Sequence, residues 1–172
     1  IITSDKCYEN NNSGRSFRES DRMGGIDPYS FSKASVELLV TSYRKSFFNC
    51  PNSPYLASAR AGNVIGGGDW SKDRLIPDIM NSIENNKDLR IRYPRATRPW
   101  QHVLDCTFGY LKLGQKAIER IPISNSAFNF GPNKNNNISV IDVLSKSREY
   151  FNDIKYTIVP EKKLYEANLL FL

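Results

Sequence analysis

From Tyr29 to about Phe48 the apolar residues Phe31, Ala34, Val36, Leu38, Leu39, Val40, Tyr43 and Phe47 recur at helical spacing. Asp27-Pro28 precedes them, an acidic cap followed by a proline that the first helical turn tolerates. This helix lies between two short strand candidates, Ile1–Ser4 and Tyr55–Arg60, and Asn49 to Pro54 ends it. The alternation continues downstream. Leu75 to Ile83 reads as a helix, Leu89 to Tyr93 as a strand, Val103 to Ile118 as a helix and Ala127–Phe130 as a strand. Ile138 to Phe151 reads as a last helix with Ser139 as a candidate cap. Asn10 to Arg22 and the Gly-rich Ala61 to Gly68 read as loop and turn. Strands alternating with helices predict an α/β chain with a largely parallel sheet.

Composition excludes several classes. The 172 residues suit one domain, and 40% hydrophobic with 24% charged residues argues against wholesale disorder. No apolar run approaches the roughly 20 residues a membrane helix needs, so no membrane association is expected. Ile1–Lys6 has neither the basic nor the apolar region of a signal peptide. Three widely spaced cysteines fit a reduced, cytoplasmic protein, and a lone histidine, His102, makes a His-rich metal site implausible. The net charge of +6 includes one cluster, Arg90, Arg92, Arg95 and Arg98, interleaved with Tyr93 and Trp100. It reads as a solvated face, a nucleic-acid surface, or a pocket for a phosphate-bearing ligand. No nucleic-acid-binding motif accompanies it.

Tyr29 and Lys33 stand at i and i+4, so their side chains share one helix face. An ammonium beside a phenol favours phenolate and suits Tyr to general-base work. Taken alone the pair is a weak signal, because a surface Tyr near a surface Lys is common. Ser4 is placed where a strand ends, the position at which open α/β sheets bind ligands. A Ser/Tyr/Lys set can handle the proton of an alcohol during hydride transfer.

These residues resemble the extended short-chain dehydrogenase/reductase family. Six collinear segments narrow the likeness: Thr3–Asn10, Asp27–Lys33, Arg60–Trp70, Asp73–Asp78, Arg98–Val103 and Asn129–Pro132. Together they closely resemble its CDP-glucose 4,6-dehydratase branch, from Ile1 to about Pro132. The resemblance implies a partial Rossmann-type parallel sheet in residues 1–66, to which 127–131 return. A smaller mixed α/β substrate domain would occupy most of 67–172. It implies NAD as cofactor, CDP-glucose as substrate and a homodimer through the Tyr29 helix. Enzymes of this kind serve deoxysugar and lipopolysaccharide O-antigen biosynthesis.

Roles follow residue by residue from the same resemblance. Tyr29 would take the C4 hydroxyl proton, Lys33 would assist it and bind the nicotinamide ribose, and Ser4 would hydrogen-bond the C4 oxygen. Asp5 would protonate the departing C6 hydroxyl. Lys6 stands where relatives acting on dTDP-glucose carry glutamate. It would serve either as the C5 base or as a stabiliser of the enolate. Val64 would meet the nicotinamide through its backbone. Asn63 and Arg98 would hold the substrate diphosphate, and Arg74 and Asn137 the nucleotide.

Two features depart from the pattern. The family opens with a strand and a Gly-x-x-Gly-x-x-Gly turn for the NAD pyrophosphate, and the sequence holds no such motif. The expectation is a piece lacking the first half of the NAD-binding domain, weak in NAD binding by itself. Gly66–Gly68 lacks the Lys-Ser/Thr of a phosphate-cradling loop. His102, Trp70 and Trp100 read as structural residues, and Arg90 and Arg95 as solvated ones.

Overall fold

The computed structural model describes residues 1–120, 126–133, 137–151, 154–159 and 167–172. Strand β1 (Ile2–Ser4) runs into a single 3-10 turn, Asp5–Cys7. Ser4 caps that turn by accepting a hydrogen bond from the Lys6 N–H at 3.1 Å. Helix α1 (Pro28–Phe47) follows the long loop. Asp27 caps it, accepting from the Ser30 N–H at 3.0 Å and the Ser30 hydroxyl at 2.5 Å. Strand β2 (Ser58–Ala61) pairs in parallel with β1, with Thr3 opposite Arg60.

Strand β3 (Asn63–Ile65), helix α2 (Leu75–Glu84), strand β4 (Leu89–Ile91), strand β5 (Thr97–His102) and helix α3 (Val103–Ile118) come next. Strand β6 (Ala127–Phe130) then pairs in parallel with β2, giving the sheet order β1-β2-β6. Strand β7 (Asn137–Ser139), helix α4 (Val140–Arg148) and strand β8 (Tyr156–Ile158) close the described chain. β3 and β7 flank β5, the first parallel and the second antiparallel, while β4 and β8 form a parallel pair. The α/β class and the largely parallel pairing agree with the expectation.

Several boundaries differ. The turn expected at residues 61–68 contains β3, because Asn63–Ile65 finds a pairing partner in Trp100–His102. The last helix begins at Val140 and ends at Arg148, because Asn137–Ser139 is held as a strand against β5. Ser139 caps it in a reciprocal capping box with Asp142. Strand β5 carries Arg98, Pro99 and Gln101 and so lacks clean apolar alternation. His102 is structural as expected, its Nδ1 accepting from the Leu104 N–H at the head of α3. Trp100 is also structural and donates from its indole to the Ile138 carbonyl. Trp70 is not a packing residue, since 71% of it is exposed.

The apolar core that supports the second half gathers Ile79, Leu89, Ile91, Leu144 and Ile154 from α2, β4, α4 and the segment before β8. It fixes the start of α2 and the rim of β4 as one wall of a cavity. The opposite wall is the carboxyl end of β1 and the first turn of α1. Gly62 joins these halves. A Cβ there would clash with Pro99 Cγ and stand 3.1 Å from an Asp5 carboxylate oxygen. Gly62→Ala is therefore expected to cost about 1–3 kcal/mol through overpacking, measured as a lowered midpoint in urea unfolding. Among the described residues no helix is long and apolar enough to cross a membrane.

Candidate active site

Between the two walls lies a cavity of about 700 Å³. Its lining brings together Ser4, Asp5, Lys6, Tyr29, Asn63, Val64, Arg74 and Arg98, drawn from β1, α1, β3, the start of α2 and β5. The strand-end position of Ser4 explains its share: β1 stops there, and the 3-10 turn swings Asp5 and Lys6 past the sheet edge.

Asp5 is buried, at 3% exposure. Its Oδ1 accepts the Ser4 hydroxyl at 2.9 Å, while Oδ2 is buried without a hydrogen-bond partner. Burial pushes the Asp5 carboxyl up to about 6, against the Ser4 hydrogen bond and the positive charges of Lys6 and Arg98. A carboxyl of this kind keeps its proton to higher pH than an ordinary aspartate, which suits a general acid.

Tyr29 occupies the first turn of α1 and is half exposed toward the cavity. Two ammonium groups flank its ring, Lys33 Nζ at 5.4 Å and Lys6 Nζ at 5.9 Å from the centroid. Both distances lie within cation–π range. Lys33 reaches Tyr29 from one helical turn below and is not part of the cavity lining itself.

The cavity is strongly charged beyond this cluster as well. Arg74 precedes α2 and pairs with Asp69 at 2.9 Å, and Arg92 stands 3.6 Å from Asp73. Arg98 is buried on β5, donating to the Thr97 carbonyl at 2.8 Å. Arg90 and Arg95 are both exposed, as expected of solvated residues, and Arg90 also lines the cavity whereas Arg95 does not. Asp69, Lys72, Asp73 and Asp78 also line it, and nothing in their spacing marked them in advance.

The structure does not bring Asn137 here. Arg98 and Trp100 face the cavity, and Asn137 pairs opposite Pro99, between them on β5. Strand alternation therefore turns Asn137 to the other face. Its side-chain atoms are buried there without hydrogen-bond partners. The adjacent positions 134–136 lie outside the described residues.

Tyr29 and the exposed Val64 both line the cavity, and Lys33 stands beside the Tyr29 ring, a set whose chemistry suits the nicotinamide-ribose end of NAD. No Gly-x-x-Gly-x-x-Gly cradle for the pyrophosphate is present in the sequence.

Comparison with known proteins identifies the family. The model of the NAD dependent epimerase/dehydratase family matches residues 1–131. The chain is 44% identical over 176 aligned residues to CDP-glucose 4,6-dehydratase of Salmonella typhimurium, covering 99% of this chain and 49% of that protein. It is 34% identical over 90 residues to dTDP-D-glucose 4,6-dehydratase of Dictyostelium discoideum, covering 52% of this chain and 19% of that one. The chain thus spans about half the length of the Salmonella relative. Among solved structures, TunA, an NAD-dependent NDP-hexosamine 5,6-dehydratase of tunicamycin biosynthesis, superposes with a TM-score of 0.80 at 17% identity. That match covers 99% of this chain and 52% of TunA. The dTDP-glucose 4,6-dehydratase of Bacillus anthracis, solved with NAD, gives 0.74 at 20% identity over 99% and 51% of the two chains. At these identities the structural likeness speaks for the fold. With a match over most of its length, the chain belongs to the NAD dependent epimerase/dehydratase family.

Proposed function

We propose that this chain carries the catalytic centre of a CDP-glucose 4,6-dehydratase, which converts CDP-glucose to CDP-4-keto-6-deoxyglucose and water. The observation that carries the reading is the meeting of Ser4, Asp5, Lys6 and Tyr29 in one cavity that Arg74 and Arg98 also line. The likeness to the Salmonella enzyme favours CDP-glucose among nucleotide sugars.

Tyr29, with two ammonium groups beside its ring, accepts the proton of the sugar C4 hydroxyl. Ser4 holds the C4 oxygen. Tyr29, Lys33 and Val64 would hold the nicotinamide end of NAD, which would supply a reversible hydride acceptor for the exchange between C4 and C6. The C4 ketone acidifies the C5 hydrogen. Lys6, beside Asp5, removes that proton or stabilises the resulting enolate, and Asp5 gives its proton to the C6 hydroxyl as water leaves. Its buried environment, which favours the protonated carboxyl, suits it to that step. The charged lining of the cavity takes the nucleotide diphosphate, with Asn63 and Arg98 on the phosphates and Arg74 toward the nucleoside.

Residues 1–66 with 127–131 form the cofactor side of this unit, and most of 67–172 the substrate side. A homodimer through α1 would cover Phe31, Leu38, Leu39, Tyr43 and Phe47, all exposed apolar residues of that helix. The assembled enzyme would work in the cytoplasm, with no nucleic-acid or membrane partner. The test is incubation of the whole protein with CDP-glucose and NAD, followed by the alkaline absorbance of a 4-keto sugar. Absence of that chromophore, or faster turnover of dTDP-glucose than of CDP-glucose, contradicts the reading. Arg98→Met is expected to raise KM for the nucleotide sugar about ten- to a hundredfold, the worth of a charge-assisted hydrogen bond. An unchanged KM would remove Arg98 from the diphosphate.

A further inference from the structure

Glu37 on α1 and Arg60 on β2 form an ion pair at 2.7 Å, at 3% and 4% exposure respectively. Neither lines the cavity, and neither enters the chemistry above. The Glu37 carboxylate also accepts hydrogen bonds from the Thr3 hydroxyl on β1 and, at 2.6 Å, from the Ser58 hydroxyl on β2. Arg60 Nη1 donates at 2.7 Å to the Tyr8 hydroxyl, which in turn donates at 2.6 Å to Asn129 Oδ1 on β6. The Tyr8 ring lies under the Arg60 guanidinium and stacks on Phe17. One buried network therefore ties together α1 and all three strands of the β1-β2-β6 sheet.

Its connections bracket the catalytic segment. Thr3 immediately precedes Ser4-Asp5-Lys6, and Tyr8 follows that segment after Cys7. Both are bonded to the same ion pair. On α1, Glu37 stands one turn beyond Lys33 and two beyond Tyr29, on the same face. Fixing Glu37 against Thr3 sets both the rotation of α1 and its height along the sheet. Those are the two coordinates that determine how Tyr29 meets Ser4.

We infer that the Glu37–Arg60 pair is a positioning device that registers the Tyr29-Lys33 helix against the Ser4-Asp5-Lys6 turn. The inference rests on the dehydratase reading for its assay. Buried ion pairs add little net stability over apolar residues of similar volume, whereas breaking one by removing a single partner is costly. A pair retained for alignment has a different signature: its loss slows chemistry more than it weakens binding. A displacement on the order of 1 Å at reacting groups can cost about a hundredfold in rate.

The experiment compares the whole protein with the double variant Glu37→Gln/Arg60→Met, which removes both charges and keeps volume. A second variant, Tyr8→Phe, keeps the stacked ring and removes only the hydroxyl. For folded variants kcat is expected to fall about 10- to 100-fold, with KM for CDP-glucose within about threefold of wild type. With CDP-glucose deuterated at C4, the isotope effect on kcat is expected to rise, because misaligned hydride transfer becomes the slow step. A pin that merely holds the fold would lower the amount of active protein and leave KM and the isotope effect unmoved. Wild-type conversion with kcat and isotope effect unchanged in the folded variants overturns the inference alone. If the double variant does not fold, Tyr8→Phe decides. Failure of the wild-type protein to make a 4-keto sugar overturns the dehydratase reading, and the inference with it.

Discussion

Tyr29→Phe in the whole protein is expected to lower kcat for 4-keto sugar formation by about 100- to 10,000-fold, the range general-base groups supply. The substitution removes one oxygen and leaves the ring between the Lys6 and Lys33 ammonium groups. Tyr29 is 52% exposed, so no core volume is lost and the thermal midpoint is expected to shift by no more than about 1–2 °C. The loss should also fall on kcat rather than on KM, because substrate affinity is assigned to the cavity arginines. A fall of less than about threefold would mean that another group takes the C4 proton. Alkaline absorbance and a melting curve on the same preparation separate the two effects.

Asp5→Asn is expected to move stability and activity in opposite directions. Burial raises the Asp5 carboxyl from 3.8 to about 6, so the fold favours its protonated form. That preference contributes fully below about pH 4 and is lost as pH rises through about 6, where buried Asp5 must ionise. A rise of this size corresponds to roughly 3 kcal/mol at alkaline pH. Asparagine cannot ionise, but it places an amide where one carboxylate oxygen has no partner. The net expectation is a gain of about 2 kcal/mol at pH 8 that shrinks or reverses near pH 4. Urea unfolding at the two pH values measures it. A variant destabilised at pH 8 as much as at pH 4 would show that Asp5 is not strained in its ionised form. Dehydration should collapse in the same variant, because the C6 hydroxyl then leaves without an acid.

Local chemistry made part of this legible. Asp27-Pro28, followed by periodic apolar residues, specifies α1 from within its own segment, and α3 and β6 are found where periodicity places them. Strands β3, β5, β7 and β8 are not locally encoded in that way. Asn63–Ile65 and Thr97–His102 are strands because each supplies the other's ladder across more than thirty intervening residues. Among site residues, Ser4 and Tyr29 are legible because strand ends and the first turns of helices have sequence signals, whereas Asp5 and Lys6 are singled out only by the family resemblance. Asn137 is misplaced by sequence because one residue in a strand turns a side chain to the opposite face. Glu37 and Arg60 carry no signal of their own. Only the fold reveals them as buried partners.

The whole protein incubated with CDP-glucose carrying deuterium at C4 gives the most direct measurement. The 4,6-dehydratase mechanism predicts that the deuterium appears at C6 of a 6-deoxy-4-keto product, with solvent hydrogen at C5. A product that keeps its C6 hydroxyl, or a 6-deoxy product without deuterium at C6, would contradict it.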